Sequence, residues 1–431
     1  MDLNRRDFFV GAAIAGTGAA LAGAGVPVAA QSAPAGTAAP KPSRMERIAK
    51  AIADNRMELD FDGSRFSGPG YDWLLRRGSK AQAFMLGEEH GIAENPKLAA
   101  QLFTALVPSG YRHAVVEISP PMAAVLDNVA RSGGSAALRR ALASSDTRVA
   151  FFGLKEEADW LAQARAAVPG AADVIWGIDY EVISDRYLIR QLKARPKPAA
   201  AAAALARLEA ASNASWAKYD ASHNPQFIFS FAGDPKLVRD LRAAWPGADP
   251  RSAVIMDTLE QTLAINGLFV AGKGYDSNLL RSKLMRRNLL RYWRAKPAGD
   301  RVFLKMGASH MTRGPSFLTD IVDVGTMVPE LVGERGGESF SGMVLPGPGT
   351  QTANMDPTQF RYVPGNRDQY GEGMDLFDRT VIPGKFTVFD MAPLRPLANG
   401  SAGGVPMPLW RAIHGFDAVL VMTGSHPSSN L

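Results

Sequence analysis

The 431-residue chain contains no cysteine. That absence removes thiol nucleophiles, disulfides and thiolate metal sites together. An excess of one charge sign is missing too: 48 lysines and arginines stand against 42 aspartates and glutamates, a net charge of +6 with no dense basic block. Nucleic acid is therefore not expected as a partner. Past the N-terminus no apolar run is long enough to span a bilayer. There is no G-x-S-x-G nucleophile elbow and no H-E-x-x-H zinc helix. Gly267 to Gly274 nearly matches a phosphate-binding loop, with Gly272-Lys273 in place. Gly274 stands where a serine or threonine must hold magnesium, and the preceding residues read as helical, so that reading fails. Histidine is scarce, six in all. A histidine placed beside other polar groups therefore carries weight.

The N-terminus does carry a signal. Asn4-Arg5-Arg6-Asp7-Phe8-Phe9-Val10 resembles a twin-arginine export motif, followed by a weakly apolar Ala/Gly-rich region to about Gly25. Val28-Ala29-Ala30 offers small residues for cleavage before Gln31. The expectation is a signal peptide over 1–30 and a flexible linker over 31–44. The protein is then periplasmic or secreted, meets the twin-arginine export machinery, and keeps no stable membrane anchor after cleavage. Such cargo crosses folded, which suits a chain that forms no disulfides.

From residue 45 to 431 the pattern predicts a single α/β domain with a central, mainly parallel sheet flanked by helices. Ser43 is a plausible cap for a helix from Met45 to Met57. Apolar runs ending in polar residues predict strands at Ala83–Gly87, His113–Ser119, Val174–Asp179 and Arg301–His310. Helices are expected at Tyr71–Leu75, Pro96–Leu106, Met122–Arg131, Ala136–Ala143 and Trp160–Ala167. A helical insertion, or cap, fills about 184–298. Glycine, proline and asparagine are frequent between Gly333 and Gly373, which predicts long loops. Phe386–Asp390 and Asp417–Met422 read as closing strands.

Parallel strands bring their carboxyl ends to one sheet edge, where ligands and chemistry gather. Here those ends carry Glu88, Glu89 and His90, then Glu117, then Asp179, then His310. Such a set has two chemical uses. An imidazole can take a proton from water while a carboxylate fixes its tautomer. Alternatively, His90, Glu117 and His310 could hold a divalent metal that activates water. Ser309 is a poor partner for His310, because adjacent strand residues point to opposite faces. His113, at the start of its strand, serves as the silent control.

Four pieces in order resemble the erythromycin esterase family, within a wider superfamily that includes ChaN-like haem-binding and Tiki/TraB metalloprotease-like proteins. Gly87-Glu88-Glu89-His90-Gly91, with Glu94-Asn95-Pro96, is similar to the G-E-x-H loop. Glu117 resembles the carboxylate ending the second strand. Arg281, Met285 and Asn288 resemble an R-x-x-x-M-x-x-N helix, and Gly307-Ala308-Ser309-His310 resembles the late G-x-x-H. The resemblance implies a hydrolase in which His90 activates water for attack on a carboxyl ester or related bond of a small-molecule substrate. Glu88 and Glu117 would orient it, and His310 and Arg281 would act on the oxyanion or leaving group. Glu89, Asp179 and Asn288 would contact substrate. No cofactor is needed for that chemistry. The Glu-to-His spacing is one residue shorter than in erythromycin esterases and closer to the ChaN-like and Tiki-like pattern. Haem or metal binding by the same histidines is the alternative, as is a non-catalytic member.

Overall fold

The computed structural model describes residues 42–399 and 404–431. The twin-arginine motif, its apolar region and the cleavage site lie outside the described residues. Among the described residues no helix is long and apolar enough to cross a membrane.

Nine strands form one sheet, in the order β2-β1-β10-β11-β7-β3-β6-β4-β5. In chain order they are β1 (Arg56–Phe61), β2 (Phe66–Ser67), β3 (Ala83–Glu88), β4 (Tyr111–Val116), β5 (Ile175–Gly177), β6 (Arg301–Gly307) and β7 (Ser339–Pro346). A separate hairpin, β8 (Gln351–Asp356) and β9 (Arg361–Asn366), precedes β10 (Phe386–Asp390) and β11 (Ala418–Met422). From β11 to β5 all neighbours pair in parallel. The β1 and β10 strands extend the sheet antiparallel.

Buried parallel strands read as continuous apolar runs because helices cover both faces. In β3, Phe84 and Leu86 join the core on one face, while Ala83 and Met85 join the core on the other. Between β5 and β6 the chain is helical, with long helices at Ala199–Ser222, Pro250–Val270 and Gly274–Ala295.

Several expectations need correction. The first helix is Arg44–Asp54, entered through a capping box in which Ser43 and Glu46 bond each other's backbone. Its last predicted residue, Met57, instead belongs to β1, a strand the sequence hid behind charged residues. The helix expected at Tyr71–Leu75 runs Pro69–Lys80. The region expected to be loops contains β7, which lies between β3 and β11 at the centre of the sheet. Serine and glycine mask it: a Cβ on Gly342 would lie 3.4 Å from the Leu420 side chain and 3.7 Å from that of Leu86. Parallel pairing with β3 on one side and β11 on the other, rather than propensity, decides that segment. The strand expected to reach His310 ends at Gly307, and a single helical turn, Ala308–Met311, carries the histidine.

His113, expected to be a silent control, is not silent for the fold. It is 5% exposed, stacks on Trp176 with ring centroids 3.8 Å apart, and bonds the Asp173 carbonyl at 3.1 Å. Its Nε2 lies 3.2 Å from Asp300. Burial pushes its pKa down. His113→Ala is expected to cost about 2 kcal/mol, from a lost stack and the one hydrogen bond that a neutral imidazole donates to these acceptors. Thermal melting checks this, and hydrolytic turnover by the folded protein should not change.

Candidate active site

Register builds the site. Glu88 of β3 lies opposite Gly307 of β6, and Val116 of β4 opposite Lys305 of β6 and Gly177 of β5. The residues just past these strand ends, His90, Glu117, Asp179 and His310, therefore share one edge. Glycine matters at two places here. A Cβ on Gly307 would stand 3.1 Å from His90 Nε2, so a larger residue there would push the imidazole away from the strand end by a few tenths of an ångström. Gly91 has φ +88° and its Cβ would meet Ala353 O at 2.4 Å, which fixes the turn that aims His90.

Glu117 is the hub. Its Oε2 accepts from the Gly307 amide at 3.0 Å and faces His90 Nε2 at 3.4 Å. Its Oε1 accepts from Arg281 and faces His310 Nε2 at 3.4 Å. Each imidazole has a second carboxylate behind it. His90 Nδ1 is 2.9 Å from Glu88 Oε1, and His310 Nδ1 is 2.7 Å from Asp323 Oδ2. Arg281 grips Asp179 with Nε at 3.0 Å and Nη2 at 2.5 Å, and its guanidinium lies 4.9 Å from the centre of the Tyr180 ring. His90 is the open member of the set: its side chain is 29% exposed, against 12% for His310, 5% for Arg281 and 3% for Glu117. The Phe151 ring stacks on His90 at 4.3 Å, from a backbone held at φ 64°.

The electrostatics follow from this packing. Burial opposes the charge on His90, but Glu117 and Glu88 outweigh it and raise its pKa to about 10. Burial likewise opposes His310, and Glu117 with Asp323 raise it to about 9. Burial also works against Glu117, yet His310 and Arg281 hold its carboxyl well below the usual range. The resting site at neutral pH thus holds two imidazolium rings around one carboxylate.

The sequence-predicted residues do not all converge. Glu88, His90, Glu117, Asp179, Arg281 and His310 form one connected network. Glu89 does not join it: its Oε1 accepts from the Asp368 amide at 2.8 Å. Burial, reinforced by Asp368, pushes its pKa to about 8. Asn288 does not reach the cluster either. It is 4% exposed and donates to the Ile178 carbonyl at 2.9 Å, holding the backbone just after β5. Asp179, 2% exposed and pinned by Arg281, braces the guanidinium.

Four partners escaped the sequence reading: Asp323, Phe151, Lys305 and Glu157. Lys305 is buried on β6 and bonds Glu88 Oε1 at 2.7 Å and both oxygens of Glu157 at 2.7 and 2.9 Å. A lysine inside the apolar run Val302-Phe303-Leu304-Lys305-Met306 was a visible anomaly. The other three gave no signal.

The donor set does not fit a divalent metal or haem iron. Both Glu117 oxygens already face N–H donors, and both Nδ1 atoms face carboxylates. Each Nε2 faces the same Glu117, beside the Arg281 cation. Among the described residues no group of three or more histidines and carboxylates is disposed to hold a metal ion.

No protein-family model matches the chain, and no curated protein matches it in sequence. Solved structures do share its architecture. A histidine-to-asparagine mutant of erythromycin esterase EreC, in its open conformation, superposes with TM-score 0.60 at 17% identity, over 87% of this chain and 99% of that one. A succinoglycan biosynthesis protein gives 0.58 at 13% identity, over 89% and 98%. A protein from Bacillus cereus gives 0.57 at 16% identity, over 90% and 100%. The chain has the fold of erythromycin esterase, an α/β fold with a central, mainly parallel sheet flanked by helices.

Proposed function

We propose that this protein is a hydrolase that cleaves a carboxyl ester or related bond with water activated by His90. One observation carries the reading: His90 is the most exposed of the connected residues, with Glu88 behind Nδ1 and its Nε2 at the strand ends. The Glu88 carboxylate holds the proton on Nδ1, so Nε2 is the atom that takes a proton from water. As water attacks, negative charge develops on the carbonyl oxygen. His310, protonated and braced by Asp323, donates to it; as the tetrahedral intermediate collapses, the C–O bond breaks and the leaving oxygen takes the proton that His90 Nε2 removed from water. Arg281 is buried and bonded to Glu117 and Asp179, so its part is to hold Glu117 rather than to touch substrate. The shared fold with an erythromycin esterase supports hydrolysis as a class and says nothing about the substrate.

A panel of simple carboxyl esters tests the proposal, with a chelator control. Hydrolysis that survives the chelator supports it; no turnover of any ester, or turnover that the chelator abolishes, defeats it.

The pH dependence has a definite sign. The base must be neutral, and that fraction of His90 grows as pH rises toward about 10. The donor must be protonated, and that fraction of His310 shrinks above about 9. The rate should therefore rise roughly tenfold per pH unit up to the lower value and fall beyond the higher one, each belonging to the coupled pair. A kcat/KM profile measures it. An optimum at neutral pH would contradict this assignment of base and donor.

A further inference from the structure

Lys305 has no part in the chemistry described so far, and its position is unusual. It lies on β6 between Leu86 of β3 and Val116 of β4, in the middle of the sheet, with its side chain 1% exposed. Stability alone is a poor reason for an ammonium there. A buried ion pair replaced by apolar residues of similar size is often neutral or stabilising. The contacts offer another reason. Lys305 makes two of its hydrogen bonds to Glu157 and a third to Glu88 Oε1, the oxygen that also faces His90 Nδ1. The Asn95 amide takes the other oxygen, Oε2.

We infer that Lys305 is a positioning residue: with Asn95 it fixes the Glu88 carboxylate, so that Glu88 in turn holds the imidazole of His90 with Nε2 toward Glu117 and the strand ends. The inference rests on the hydrolase reading for its kinetic consequence, but not for its structural one. Glu157 supplies the counter-charge, which lets the ammonium be buried while one of its donors remains for Glu88. The other charged groups near His90 are Glu117, His310 and, through Glu117, Arg281. They act on Nε2, so the Nδ1 side depends on Glu88 and what holds it.

The test uses the double variant Lys305→Met/Glu157→Gln, because Lys305→Met alone leaves two carboxylates buried together without their counter-charge. Two readouts are needed. The first is steady-state kinetics: kcat should fall about ten- to a hundred-fold, the size typical when a group behind a functional imidazole is removed, with KM nearly unchanged. The second is the hydrogen-bonded Nδ1 proton of His90 by nuclear magnetic resonance. It should be resolved in the wild type and broaden through water exchange in the variant. A folded double variant with an unaltered Nδ1 proton overturns the inference, whatever the kinetics. If the wild type hydrolyses no ester, the proton signal still decides the role of Lys305, and the hydrolase reading falls separately.

Discussion

His90→Ala is expected to lower ester turnover by about a hundred- to ten-thousand-fold, the contribution typical of a general base. The melting temperature should fall only modestly, from loss of the imidazolium that Glu88 and Glu117 stabilise and of its stack on Phe151. His90 sits past the end of β3 with 29% of its side chain exposed, so its removal leaves no core cavity. It also takes a cation away from between Glu88 and Glu117. Glu88 keeps Lys305 and Asn95, and Glu117 keeps Arg281, His310 and the Gly307 amide, so neither carboxylate is stranded. Turnover and melting measured on one preparation check both halves. A variant with wild-type turnover would remove His90 from the chemistry.

Arg281→Met should do the opposite, striking the fold before the rate. The guanidinium is the main counter-charge for Asp179 and a direct partner of Glu117, and all three side chains are at most 5% exposed. Removing one member of a buried ionic network leaves charges uncompensated, a loss of roughly 3–5 kcal/mol. Burial already raises the pKa of Asp179 against the pull of Arg281. Without the guanidinium, that pKa should rise further. Urea unfolding at two pH values tests this: the deficit should shrink as pH is lowered and Asp179 is neutralised. A stability within about 1 kcal/mol of wild type would show that the network contributes little to folding.

The contrast between these variants reflects what the sequence could and could not convey. The β3, β4 and β6 strands were legible because buried parallel strands are written as apolar runs. Their polar ends followed directly, which is why His90, Glu117 and His310 were found. Arg281 came from the resemblance, since helical spacing marks a face and not a partner. Asp323 lies in a segment with no usable period, and only the turn after Gly307 brings His310 to it. Lys305 was visible as a charge out of place, but its partner Glu157 is 148 residues away in sequence. No local pattern encodes that distance. Glu89 and Asn288 were drawn in by neighbourhood and by motif, and the structure gives them backbone contacts outside the cluster.

The central claim is that His90 activates water, with no covalent intermediate on the protein. A single turnover of an accepted ester in water enriched in oxygen-18, with enzyme in excess, tests it most directly. The account predicts one solvent oxygen in the acid product of that first turnover. Acid released without the label would mean that solvent water had not attacked the acyl carbon, as when a carboxylate of the site, Glu88 or Glu117, attacks first, and would contradict it.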